Sequence, residues 1–293
     1  MSTTPRLVRT LFVLMLVVVA ASAALSQNPL DPNPILVGTT GACNNVVPGG
    51  PCTQTSTLVQ LDPATGQFVQ EIGPVGFTVN GMAWDPKTQT LFASTAIGDV
   101  SFHGLITIDL LTGRGTPVDP TAVNFGIPGD ASPIHSITIG ANGKIVGWYD
   151  EFAPPVGITD TFVQIDKKTG IATQHTDTGI DTSQNGLAFD NNNNLWNIDS
   201  PKRQPGAPTT QTAYLLNPVH GKPTFSRPLT PPTPAALGDF SPANNLYYGL
   251  NFQSFSGNAA TFIVTVDLST GTVTTLGRTV DNLHVIAFIA KKK

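Results

Sequence analysis

The sequence predicts an all-β chain folded as a five-bladed β-propeller, and three observations carry the prediction. Charged residues make up only 12% of the 293, while Gly (28) and Pro (25) abound. That balance suits many short strands joined by tight turns and disfavours helical bundles. A strand ending in an acid and followed by a Thr-Gly turn then recurs: TLVQLDPATG (57–66), LITIDLLTG (105–113), TFVQIDKKTG (161–170) and FIVTVDLSTG (262–271). AYLLNPVHG (213–221) is a degenerate copy, and the anchors Asp62, Asp109, Asp166, Asn217 and Asp267 stand 47, 57, 51 and 50 residues apart. Such a period is that of one four-stranded blade. Finally, the two ends complement each other. PILVGTT (34–40) matches the second strand of a unit and LHVIAFIA (283–290) the first, so pairing them completes a fifth blade.

In chain order, residues 1–26 come first. Arg6 and Arg9 precede the apolar run LFVLMLVVVAASAAL (11–25), which ends in small side chains. A basic start, an apolar stretch short for a membrane span and an Ala-x-Ala-like site describe a secretory signal peptide, with an uncleaved anchor as the alternative. Residues 27–293 then form a single propeller domain that is secreted or periplasmic, monomeric and without a membrane span. In an exported chain the only two cysteines, Cys43 and Cys52, are expected to close the Pro/Gly-rich loop between them as a disulfide.

Each unit begins with a second recurring element: NGMAWDPKTQTLFAST (80–95), HSITIGANGKIVGWYD (135–150), NGLAFDNNNNLWNIDS (185–200) and ALGDFSPANNLYYGLN (236–251). It reads as strand a, a polar turn and strand b. The Asp-bearing strand is then strand c, and the Thr-Gly turn leads to strand d. Six blades would need a divergent unit hidden in 114–133 or 201–211. The Asp of each Thr-Gly turn accepts backbone N–H bonds and ends its strand, which is a structural role. In the a–b turn of 185–200 the four asparagines are residues tolerant of left-handed backbone, since a calcium loop would need a different acid spacing.

Strands a line the central channel of a propeller, so their equivalent residues converge. Aligning Trp84, Ile139, Phe189, Phe240 and Phe288 as inter-blade packing positions places Asn80, His135, Asn185, Ala236 and His284 four residues earlier. Asn80, His135, Asn185 and His284 are therefore the candidate ligand-binding ring, whose amides and imidazoles suit hydroxyls, water or a metal. Asp239 interrupts the pattern in its blade. His103 and His220 are expected at the surface, and His175 on an exposed strand d. Trp148 and Tyr149, with Asp150 and Glu151, read as an exposed aromatic–acid cluster able to hold sugar or peptide. The loops 41–55, 120–133, 151–159, 201–211 and 252–260 vary as binding loops do.

The Leu-x-x-Ile-Asp-x-x-Thr-Gly and Gly-Leu-Ala-Phe-Asp…Leu-Trp patterns resemble the repeats of secreted bacterial β-propellers. These include YVTN and NHL-type repeats and the streptogramin-lyase-like and gluconolactonase-like proteins. The resemblance implies a fold rather than an activity. Lactonase-like propellers hold a divalent metal through acid and Asn side chains near the channel. Asn80, Asn185 and Asp239 would imitate that set, but no Glu stands in a matching place. The streptogramin-lyase catalytic His and Glu have no residue-by-residue match either.

No G-x-S-x-G, H-E-x-x-H, phosphate-loop or dinucleotide fingerprint occurs. The net charge of −4, with no basic stripe, speaks against nucleic-acid binding. The expected function is an exported binding protein for a small molecule, glycan or protein partner at the channel mouth. It is expected to be non-enzymatic and to need no cofactor. A metal-assisted lyase or lactone hydrolase using a divalent cation at the channel, and a structural cell-envelope protein, are the alternatives.

Overall fold

A computed structural model describes residues 34–40, 55–95, 102–127, 134–149, 159–182, 185–199, 211–252 and 260–290. Its strands are β1 (Ile35–Thr40), β2 (Thr57–Leu61), β3 (Phe68–Pro74), β4 (Val79–Asp85), β5 (Thr90–Thr95), β6 (Leu105–Ile108) and β7 (Gly115–Pro117). There follow β8 (Ile134–Ile139), β9 (Ile145–Tyr149), β10 (Thr161–Ile165), β11 (Ala172–Asp177), β12 (Asn185–Phe189), β13 (Leu195–Asp199), β14 (Thr212–Leu216) and β15 (Pro223–Pro228). The chain closes with β16 (Ala236–Phe240), β17 (Tyr247–Phe252), β18 (Thr261–Asp267), β19 (Thr272–Arg278) and β20 (Leu283–Ile289).

These strands form five antiparallel sheets of four, in the orders β20-β1-β2-β3, β4-β5-β6-β7, β8-β9-β10-β11, β12-β13-β14-β15 and β16-β17-β18-β19. Each is a blade. The inner strands β20, β4, β8, β12 and β16 each touch the next, and β16 returns to β20, so the ring is closed. One blade is completed from both ends of the sequence, with Ile35 opposite Ile289 and Leu36 opposite Phe288. That pairing leaves no open sheet edge at the join. The expected five blades and their closure by terminal strands are what the chain forms.

Burial falls from the channel outward because the middle strands are covered on both faces by neighbouring blades. Strands β1, β5 and β9 are almost wholly buried, whereas the outer strands β3 and β15 are largely exposed. Blades approach closely where side chains are absent. A Cβ on Gly186 would fall 1.8 Å from the Tyr247 Oη, so the buried phenol of β17 lies directly on the backbone of β12.

The recurring acids do what their position in the repeat implies. Asp166 Oδ1 accepts from the N–H groups of Lys168 and Thr169 at 2.8 and 3.0 Å, and Gly170 takes a φ of +70°. Those bonds hold the Asp166 carboxyl below its ordinary pKa. Asp62, Asp109 and Asp267 cap their turns in the same way, and Asn217 does so in the degenerate copy. The asparagine turn goes further. Asn193 is left-handed (φ +62°), and its Oδ1 accepts from Ala141 N at 2.7 Å in the preceding blade. Residues 1–26 and both cysteines, Cys43 and Cys52, lie outside the described residues, as do Asp150 and Glu151 and most of the long loops.

Candidate functional site

Strands β20, β4, β8 and β12 are consecutive around the ring and carry His284, Asn80, His135 and Asn185 in that order. The four candidates thus occupy one arc at the N-terminal ends of the inner strands, and Ala236 on β16 takes the fifth position. Three of them share a backbone device. The β4–β5 register shifts between Val79 and Gly81, the β8–β9 register between Ile134 and Ser136, and the β1–β20 register where Thr39 and Thr40 face Val285 and Leu283. Asn80, His135 and His284 are the skipped residues. A β-bulge leaves its extra residue out of the ladder and re-aims its side chain. Asn185 instead pairs regularly with Asp199.

Asn80 is buried, and His135 and His284 are half-buried. Burial pushes the His135 imidazole down to about 3, with the charge on His284 acting in the same direction. Burial alone takes His284 down to about 4. The two rings are near enough for their charges to interact, and both are neutral at physiological pH. Neutral imidazoles and amides each offer a donor and an acceptor. Among the described residues, no three His, Cys, Asp or Glu side chains gather to hold a metal ion.

The opposite end of the channel, about four residues or 13 Å further along the inner strands, holds a feature that the repeat alignment missed. A cavity of about 150 Å³ is lined by Trp84, Phe189, Phe240, Phe288, Thr138 and Asp239, among others. Asp239 arrives there through a fourth irregularity. Ala236 pairs with Leu250 and Asp239 with Tyr248, leaving Leu237 (φ +51°) and Gly238 between them out of register. Gly238 is required at this point, because a Cβ would lie 1.8 Å from the Tyr248 carbonyl oxygen. Its N–H donates to Tyr247 Oη at 2.9 Å.

The Asp239 carboxylate accepts from Phe240 N at 2.8 Å and from Phe288 N at 2.9 Å, the second across the blade boundary. Burial nevertheless raises its pKa to about 6 against those two bonds. Burial also raises the Tyr247 phenol, with the nearby Asp239 charge adding to the effect. The available signal was the alignment itself, in which Asp239 stands where the other inner strands have Ala83, Thr138, Ala188 and Ala287. The aromatic positions read as inter-blade packing are the walls of this cavity as well.

Two expectations need correction, that for His103 and that for Trp148 with Tyr149. His103 is buried rather than at the surface: its Nδ1 lies 2.6 Å from Asn124 Oδ1 and its ring meets Phe125 edge-on. Trp148 and Tyr149 form no exposed cluster, because they continue the regular strand β9 and are buried there. Trp148 Nε1 donates to Asp160 Oδ2 at 2.9 Å and Thr182 Oγ1 at 3.1 Å, so a buried indole has found its partners. Their apparent departure from the repeat came from the bulky side chains, which this blade interface accommodates. His220 is half-buried in its turn, where Nδ1 accepts from Lys222 N, and His175 lies on the strand-d element β11.

No protein-family model matches the sequence, and no curated protein matches it. Among solved structures, the chain is similar to a gluconolactonase from Xanthomonas campestris at 13% identity, covering 89% of this chain and 84% of that one, with a TM-score of 0.47. It is similar to the calcium-binding protein regucalcin from Agrobacterium tumefaciens at 14% identity, covering 85% and 76%, with a TM-score of 0.42. A glycoside hydrolase with endo-xylanase and exo-arabinofuranosidase activity matches at 12% identity and a TM-score of 0.46 over 69% of this chain. The chain spans only 42% of that enzyme. At these identities the likeness is one of fold.

Proposed function

We propose that this propeller is an exported, non-enzymatic binding protein whose ligand is a small, uncharged, polyhydroxylated molecule. The ligand is held at the N-terminal end of the inner strands by Asn80, His135, Asn185 and His284. One observation carries this reading: His284, Asn80 and His135 sit on three successive inner strands, each as the skipped residue of a bulge. Three irregularities at one repeat position direct polar side chains to one place, which packing alone does not require. The imidazoles and the Asn80 amide carry no charge at neutral pH. Their paired donor and acceptor capacity matches hydroxyl groups, which also donate and accept. Export rests on the signal-like segment 1–26.

The test is calorimetric titration of the purified protein with a panel of monosaccharides, polyols and aldonic acids. A neutral sugar or polyol is expected to bind saturably, and His135→Ala with His284→Ala is expected to weaken it about tenfold or more. Retained affinity in a folded double variant, or preference for the acids, would sink the reading. Recovery of the ligand chemically unchanged after incubation with Mg²⁺ or Ca²⁺ separates binding from a metal-assisted lyase or lactone hydrolase.

A further inference from the structure

We propose a second site at the other end of the channel, where the cavity between the C-terminal ends of the inner strands binds a small alkylammonium ion. Asp239 serves as its counter-ion, and Trp84, Phe189, Phe240 and Phe288 form an aromatic wall.

The size comes from the cavity. Its volume is about 150 Å³, and an apolar cavity of about that volume accommodates a benzene ring. The ligand therefore has roughly six non-hydrogen atoms. The wall supplies the first part of its chemistry. Four aromatic side chains from β4, β12, β16 and β20 line the space, and the faces of such rings attract cations within about 6 Å of the centroid. Two of the rings are held in place by edge-on tyrosines, Phe240 by Tyr247 at 5.4 Å and Phe288 by Tyr248 at 5.0 Å. Trp84 donates its indole N–H to Ala290 O at 2.8 Å. Trp84, Phe189 and Asp239 each keep some solvent-accessible surface.

The carboxylate supplies the sign of charge. Each Asp239 oxygen takes one backbone N–H, which leaves further acceptor capacity on both oxygens. Satisfying an inner-strand edge N–H does not by itself require an acid. At the boundary between β8 and β12 Ser136 Oγ accepts from Leu187 N at 3.0 Å and does the same work without charge. A carboxylate among aromatic rings is costly to desolvate unless a positive group joins it. A neutral ring filling the cavity would deepen that cost, whereas an ammonium N–H would offset it.

The pH dependence follows. With Asp239 titrating near 6, the carboxylate is ionised at pH 7 and binding falls as it is protonated. The other titratable groups on the packed elements are Tyr247 and Tyr248 on β17, His284 on β20, His135 on β8 and Asp85 at the end of β4. Asp85 is paired with Lys167 at 2.6 Å. The segments Asn185–Phe189 and Ala236–Phe240 add none besides Asp239 itself.

Piperidinium and tetrahydropyran, rings of the same size and shape that differ in charge, are the probes, followed by ligand-observed NMR titration. The intact protein is expected to bind piperidinium about tenfold or more tightly than tetrahydropyran at pH 7. Lowering the pH to 5 should weaken piperidinium about tenfold, whereas tetrahydropyran should bind no more weakly, since protonation removes the cost of covering the carboxylate. Asp239→Asn should abolish the preference between the probes, and Trp84→Ala should weaken piperidinium if Asp239→Asn fails to fold. His135→Ala with His284→Ala should leave piperidinium binding intact, which separates this site from the one at the other end. Equal affinity for the two probes, or no saturation of either up to about 10 mM, overturns the proposal.

Discussion

His135 and His284 couple the channel to the pH dependence of folding. Their folded-state pKa values, about 3 and about 4, lie below the ordinary histidine value of 6.5. Between roughly pH 4 and 6 the unfolded chain therefore binds two protons that the folded chain does not. Their stabilising contribution is complete above about pH 6.5 and is lost as the pH falls. Asp239 acts in the opposite sense: its pKa rises from 3.8 to about 6 on folding, so its contribution is complete below 3.8 and lost as pH rises through 6. Urea denaturation at pH 4.5 and 5.5 should show stability rising with pH more steeply in the intact protein than in the His135→Ala, His284→Ala variant. The difference in slope should reach up to about 2.8 kcal/mol per pH unit, two protons at about 1.4 each. Superimposable slopes would mean the imidazoles are not held neutral. The positions of both histidines were legible because a bulge at the same place in several blades leaves the repeat spacing intact. Asp239 was legible as an interruption and as a possible partner of Asn80 and Asn185, but not as a residue of the opposite end of the channel, since its bulge occurs in one blade only.

Turns act between blades as much as within them. Asp85 closes the first a–b turn by accepting from Lys87 N and Thr88 Oγ1 at 2.9 Å each, and it also receives Lys167 from the c–d turn of the next blade. The Lys167 bond, with the two turn bonds, holds the Asp85 pKa low against the opposing effect of burial. Asp85→Asn should cost about 1–3 kcal/mol at pH 7 by urea titration. Lys167→Met in that background should add little, because the pair is already broken. This part of the stability is present above pH 3.8 and lost as the carboxylate protonates on acidification. Asn193 allows backbone and side-chain effects to be separated. Asn193→Gly keeps the left-handed turn and removes only the bond to Ala141, for about 1 kcal/mol. Asn193→Ala adds a backbone penalty of about 1 kcal/mol, and equal losses in the two variants would contradict the observed φ of +62°. The sequence made the left-handed turn visible through its asparagines. It hid the partners, which stand 52 residues away at Ala141 and, for Asn191 and Asn245, 54 residues apart.

At the scale of the molecule, the ring depends on the single blade that the two ends of the described chain build together. Five inner strands touch in sequence, so every blade has two neighbours only while β20 is in place beside β1. Removing 283–293 would uncover the channel edge of β1 and one face each of β4 and β16. The shortened chain should lose cooperative unfolding and associate through the exposed edge. The opposite operation is more discriminating. Ile289 lies opposite Ile35 in an antiparallel pair, the arrangement that in another blade sets Phe189 opposite Leu195 across an a–b turn. A linker of about five residues joining the two ends would turn the closure into an ordinary hairpin, at a loop-entropy cost that is small for so short a span. If new ends are then opened between β13 and β14, the permuted chain keeps every described strand pairing. It should fold to the same five-bladed ring and unfold at a higher urea concentration than the parent. Faster hydrogen exchange at β13 and slower exchange at β1 and β20 would show that the weak point had moved with the ends. A permutant less stable than the parent, with β1 and β20 still exchanging fastest, would mean that the terminal blade is weak through its own packing rather than through its open connection.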